Sequence, residues 1–305
     1  MAITQVFMLT AVITWATKQF SELESQVTSV ERVLEYTEIP LESKSEGRTV
    51  TEWPKNGQIT FDHVNLVYET TNEHILRDIS FRVEPGEKIG IVGRTGAGKS
   101  SIISVLFRLY NISGSIVIDG EDIGTLNLEF LRSSIAIIPQ DPILFSGTIR
   151  KNIDPLDKYK DEEIWRAIRI VKLTEMVPNL EMKITESGSK YSSGQRQLIC
   201  LARALVTRNK IIVLDEATAN MDPETDKLLH ETIRVHFGHS TVLTIAHRIN
   251  TVIKSDKVLV VDGGRIVQYG KPNDLLRQRD GQFRKMASQA GIQLTDDIQE
   301  EDDQY

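Results

Sequence analysis

Gly93-Arg94-Thr95-Gly96-Ala97-Gly98-Lys99-Ser100 fits the pattern G-x-x-x-x-G-K-[ST], the spacing of a loop that wraps phosphate. Glycines let successive backbone N–H groups turn toward phosphate oxygens. The helix expected over Ser101–Leu109 adds the partial positive charge of its N-terminus. Lys99 is placed to reach the β- and γ-phosphates, and the Ser100 hydroxyl to ligate Mg²⁺.

A second cluster stands at Ile211-Ile212-Val213-Leu214-Asp215-Glu216, where an apolar run ends in two carboxylates. Ligands of open α/β sheets sit at such strand ends. Asp215 is suited to hold Mg²⁺ through water, and Glu216 to polarise an attacking water as general base. A strand that simply ends in polar residues explains the pair equally well when it is taken alone. Tyr191-Ser192-Ser193-Gly194-Gln195-Arg196-Gln197 opens a further helix, and Ser192 with Gln195 is a capping box. A capped, glycine-bearing helix start is also an anion site, so the two readings share one geometry.

These groups need a scaffold that puts strand ends beside helix starts. Short β-rich runs at Lys88–Val92, Ser115–Asp119, Ile135–Ile138, Ile211–Leu214, Thr241–Ile245 and Lys257–Val261 are separated by helical runs such as Asp161–Val171 and Pro223–His236. Alternation of this kind predicts an α/β fold with a mainly parallel core. The unbroken apolar run Ile211–Leu214 predicts a strand covered on both faces. Asp161 is the expected N-cap of its helix, with Glu162 and Glu163 complementing the dipole.

The flanks differ from this core. Ala2–Thr17 carries no formal charge but is shorter than a full membrane span of about 20 residues. It is read as the end of a transmembrane helix whose beginning is absent; a buried or amphipathic soluble helix is the other reading. Phe20, Leu23, Val27, Val30 and Leu34 continue a narrow apolar seam, the mark of a helix with one sticky face. The expected organisation is a helical extension over 1–40, a polar linker over 41–57, the α/β domain over 58–290 and an acidic tail over 291–305. Among 305 residues, 40% hydrophobic and 26% charged exclude wholesale disorder. A net charge of −7 argues against a nucleic-acid-binding surface, with a local basic patch as the other reading. One cysteine, Cys200, excludes an intramolecular disulfide.

The order of these motifs resembles that of ABC transporter nucleotide-binding domains. Within that superfamily GRTGAGKSS (Gly93–Ser101), GQRQLICLARAL (Gly194–Leu205), DEATANMDP (Asp215–Pro223) and TVLTIAHR (Thr241–Arg248) resemble subfamily C, the multidrug resistance-associated proteins. Within it the likeness is to the second nucleotide-binding domain of the short, type-four kind. SVERVLEY (Ser29–Tyr36) resembles the link from the last transmembrane helix to that domain.

The resemblance implies a P-loop ATPase fold: a mainly parallel sheet, an antiparallel β part and a helical signature subdomain. It adds roles at matching positions. Tyr68 matches an aromatic that stacks on adenine, with a core aromatic as the other reading. Ser101 joins the nucleotide-binding set. Gln140 matches a glutamine that contacts Mg²⁺ and the attacking water, and His247 a histidine on the γ-phosphate. Ser192, Gly194 and Gln195 match the signature that completes the site of a second, head-to-tail domain. Asp222 matches a loop that meets the opposite subunit, and it is also a natural N-cap before Pro223.

The match departs from the family's Leu-Ser-Gly-Gly-Gln at Tyr191 and Ser193, and Pro178–Glu186 is short for the family. Ser193 would crowd a phosphate of the partner's site. The implied function is ATP hydrolysis coupled to export of amphipathic organic anions, with transmembrane domains as further partners and the domain on the cytoplasmic side of a membrane. A nucleotide-gated regulatory module and a soluble ABC ATPase of DNA repair or translation are the alternatives.

Overall fold

The computed structural model describes residues 2–39, 42, 47–68, 71–184, 191–215, 222–246 and 248–292. The chain divides into two compact units, Met1–Lys44 and Ser45–Tyr305. Among its described residues the first holds one helix, α1 (Ala2–Glu38), in which no residue is buried. Among the described residues no helix is long and apolar enough to cross a membrane.

The second unit opens with the antiparallel strands β1 (Ile59–Tyr68) and β2 (Glu73–Val83), then β3 (Lys88–Gly93) and α2 (Lys99–Leu106). Strands β4 (Ile112–Ile118) and β5 (Glu121–Asp122) complete a four-stranded sheet in the order β2-β1-β4-β5. After α3 (Leu128–Ser134) comes β6 (Ile135–Ile138). A helical region follows: β7 (Gly147–Thr148), α4 (Ile149–Ile153), α5 (Asp161–Ile170), β8 (Lys183–Ile184) and α6 (Ser193–Thr207). The chain then returns through β9 (Ile211–Asp215), α7 (Pro223–His236), β10 (Thr241–Ile245), α8 (Ile249–Val252), β11 (Lys257–Asp262) and β12 (Arg265–Gly270). The last described elements are α9 (Pro272–Arg277) and α10 (Gln282–Gln289).

The main sheet has the order β12-β11-β3-β10-β9-β6. Five neighbouring strands run parallel, and β12 is the antiparallel edge. Side chains of a strand alternate between faces, and this parity sorts the core. Ile89, Ile91, Ile211, Val213, Leu243 and Ile245 pack toward the antiparallel sheet and α2. Ala136, Ile138, Ile212, Leu214 and Val242 pack toward α4, α5, α6 and α7. Val92, Val258 and Val260 face α8, α9 and α10. Ile211–Leu214 is buried throughout, as the apolar run requires.

Two local expectations are corrected. The β-rich run at Ser115–Asp119 is part of Ile112–Ile118, and Asp119 leaves it with φ 48°. Its carboxylate accepts four consecutive backbone N–H groups: Lys55, Asn56 and Gly57 on Oδ2, and Gln58 on Oδ1, at 2.7–2.9 Å. Trp53 is buried against Phe130 and donates its ring N–H to the Ile118 carbonyl. Residues 53–57, inside the stretch expected as a linker, are therefore fastened to the antiparallel sheet. Asp161 is not the N-cap of α5; Lys160 is, and Asp161 is the first helical residue. The Glu163 carboxylate accepts the Lys160 N–H, so the acidic first turn caps the helix from inside.

Candidate functional site

Chain topology gathers the strand ends at one edge. The phosphate loop leaves β3, the residue sought as His247 follows β10, Asp215 ends β9, and Gln140 follows β6. These are four adjacent parallel strands. Ile245 pairs with Ile91 on one side and Asp215 on the other. Two strand spacings therefore separate Asp215 from β3, about 10 Å.

The loop is built mainly by backbone. Gly93 pairs with Val261 of β11, and a Cβ there would lie 2.2 Å from the Val261 oxygen. Gly96 and Gly98 take positive φ, 78° and 103°, values that strain other residues. Gly98 is the N-cap of α2 and has no side chain with which to satisfy the first-turn N–H groups. The turn is closed by Ala97 N–H on the Arg94 carbonyl, and Gly264 N–H from the β11–β12 connection holds the Ala97 carbonyl. Lys99 is buried, and its ammonium donates to the Gly93 and Arg94 carbonyls at 2.9 and 3.1 Å. The cation therefore sits at the mouth of its own loop.

Arg94, Thr95, Gly96 and Ser100 are exposed, while Ala97, Gly98 and Ser101 are buried. Tyr68 is half-buried; its hydroxyl stands 3.3 Å from Ser101 Oγ and its ring lies 4.8 Å from that of Tyr110. It also packs on the main core, so it joins the loop and the core rather than only one of them. Gln140 is exposed and Asp215 half-buried. Ser100 and Asp215 are hard oxygen donors, and no group of three or more His, Cys, Asp or Glu suited to a metal occurs among the described residues. A carboxylate and a hydroxyl suit Mg²⁺, which keeps waters and substrate phosphates as its other ligands. Glu216 and His247 lie outside the described residues.

The signature residues form a separate group at the start of α6. Ser192 Oγ accepts the Gln195 N–H at 3.1 Å, and Gln195 Oε1 accepts the Ser192 N–H at 2.9 Å. Gly194 is buried, and a Cβ there would meet Thr225 Cγ2 at 3.2 Å and Asp222 Oδ1 at 3.6 Å. Asp222 caps α7, accepting the Thr225 N–H and hydroxyl. These bonds, the backbone one first, hold its carboxyl below the usual range. Burial raises the Tyr191 phenol and the Cys200 thiol; Cys200 is a core residue of α6.

Sequence reasoning missed two groups here. Tyr110 carries no pattern, since only the turn after α2 brings it to Tyr68. Gln197 left a signal: a polar residue on the helix face of Leu201 and Ala204, both buried.

The family profile described as ABC transporter matches residues 76–219. The chain is 48% identical over 303 residues to the probable multidrug resistance-associated protein lethal(2)03659 of Drosophila melanogaster, covering 95% of this chain and 22% of that protein. It is 46% identical over 297 residues to ATP-binding cassette sub-family C member 4 of Homo sapiens, with the same coverages. Against sub-family C member 2 of Rattus norvegicus it is 46% identical over 292 residues, 93% of this chain and 19% of that one. It thus spans about a fifth of the length of these relatives. A solved structure of a bacterial Atm1-family ABC exporter with ATP bound superposes with a TM-score of 0.77 at 32% identity, covering 88% of this chain and 48% of the exporter chain. A glycine-rich loop on a parallel sheet, a capped helix start and this extent of identity lead to one conclusion: the chain carries an ABC transporter domain over residues 76–219 and is similar to multidrug resistance-associated proteins of subfamily C.

Proposed function

We propose that this domain binds and hydrolyses ATP as one half of a head-to-tail pair that drives export of amphipathic organic anions across a membrane. The observation that carries the reading is the run of four adjacent parallel strands β3, β10, β9 and β6, whose ends lead toward the phosphate loop, Asp215 and Gln140. Exposed Gly96 and the uncapped start of α2 offer backbone donors to phosphate. Lys99 neutralises charge developing on the transferred phosphoryl group. Ser100, Asp215 and Gln140 would hold Mg²⁺, which when bound supplies charge stabilisation at the phosphoryl oxygens. Glu216 takes the proton of the attacking water, and His247 contacts the γ-phosphate. Tyr68 stacks on adenine, a contact commonly worth about 1–3 kcal/mol.

Ser192, Gly194 and Gln195 face the nucleotide of the partner domain, and Asp222 meets the opposing subunit. The partner's site is the weaker one, since Tyr191 and Ser193 alter the signature offered to it. Similarity to membrane exporters supports transmembrane partner domains and a cytoplasmic face.

Mg·ATP titration into the folded chain, followed by single-turnover hydrolysis with a partner domain, tests the assignment. Glu216→Gln is expected to keep affinity and lower hydrolysis by about 10²–10⁴-fold. Unchanged turnover would remove Glu216 as base. Tight binding with no hydrolysis by the native chain would favour a regulatory module, and no binding at all would end the motor reading.

A further inference from the structure

Gln197 lies in the second turn of α6 and is 1% exposed. Its Nε2 donates to the Pro139 carbonyl at 2.9 Å. Water does not replace a partner lost at such depth, so buried amides keep their hydrogen bonds. Pro139 has no N–H, and its carbonyl is the one main-chain hydrogen-bonding group it offers. The residue stands just past the last β6–β9 pair, Ile138 with Leu214, and just before Gln140. One buried bond therefore fastens α6 to the root of the loop that carries Gln140. The same end of α6 is closely packed at Gly194, where a Cβ would lie 3.2 Å from Thr225 Cγ2 and 3.6 Å from Asp222 Oδ1. The turn has little room to yield independently.

We infer that Gln197 is a positioning residue that couples the Gln140 loop to the Ser192–Gln195 turn, so that rearrangement of one displaces the other. The inference rests on the reading of Gln140 as a contact to this chain's own nucleotide and of Ser192–Gln195 as a contact to the partner's. A ligand that reorders residues 140–146 then reorients the signature without touching it. The physical warrant is a discrete buried bond that joins the two elements.

Hydrogen–deuterium exchange on the full chain, with and without Mg·ATP, tests this. In the native chain Mg·ATP is expected to slow exchange at 93–101, 140–146 and 192–197 together. Gln197→Met keeps the length and volume but cannot donate. In that variant the slowing at 93–101 persists, while the response at 192–197 shrinks by about threefold or more. A purely structural role would raise exchange in α6 equally in both conditions and leave this nucleotide-dependent difference unmoved. Should Gln197→Met fail to fold, Gln197→Asn shortens the reach by one methylene and is expected to lose the same response.

A full response at 192–197 in the variant overturns the inference. So does a native chain protected at 93–101 but unresponsive at 192–197. Absence of protection at 93–101 in the native chain identifies the nucleotide reading itself as the failure, and the inference falls with it.

Discussion

The phosphate loop and the signature turn are both glycine-bearing entries into a helix, and they are built in opposite ways. The first ends in Gly98, which caps nothing, and its shape comes from left-handed glycines and a lysine bonded to its own loop. The second is closed by a reciprocal pair of side chains, Ser192 and Gln195. An uncapped helix start leaves donors for a ligand, whereas a capped one satisfies its own and presents what remains. The first loop is thus committed to what it binds. The second is a finished structural corner whose exposed Ser192 hydroxyl can serve another chain.

The contrast predicts that losing the first loop's cation is felt as lost chemistry, losing its glycines as backbone strain, and losing the second turn's cap as lost stability alone. The largest effect is expected from Lys99→Met, which keeps bulk but removes the cation. Turnover should fall by about 10²–10³-fold, and a loss below tenfold in a kinetic assay would break the contrast. Gly98→Ala comes next. Its φ of 103° and a Cβ 3.0 Å from Leu76 Cδ2 combine strain with crowding, about 1–3 kcal/mol in a denaturation midpoint. Gly96→Ala has nothing within 4 Å and should show only the left-handed cost, about 1–2 kcal/mol; equal losses at the two glycines would say that packing does not matter there.

Ser192→Ala removes half of the capping box and should lower stability by about 1 kcal/mol, leaving Mg·ATP affinity at this chain's own site unchanged by calorimetry. The smallest effect is a pH dependence at Asp222. Its folded pKa lies below the ordinary 3.8, so between those values the unfolded chain binds more protons. Its contribution is present above pH 3.8 and is lost as pH falls through the folded value. Asp222→Asn should flatten that acid limb of a stability-against-pH curve, and an unchanged limb would remove the carboxylate as the cause.

Much of this was legible because it is local. The phosphate loop needs a strand, two glycines and a helix in immediate succession, and Ile211–Leu214 announces a doubly covered strand by lacking alternation. The capping box of Ser192 is spelled within four residues. What escaped is held by contacts distant in sequence. Asp119 reads as the end of a strand, yet its carboxylate serves amides more than sixty residues earlier. Trp53 sits in a polar stretch and is buried by Phe130. Lys160 displaced Asp161 as cap because a carboxylate one turn ahead does the same work from inside the helix. Of the site, Tyr68 and Gln140 needed a family likeness, since one aromatic at a strand end and one amide in a loop carry no periodicity.

The Asp119 corner has a mechanical consequence. Four amides in a row are gripped by a single side chain, and such a fastening yields all at once rather than link by link. A tug travelling down the polypeptide from upstream is arrested there, on the rim of the antiparallel sheet, before it can reach the strand that leads to Tyr68.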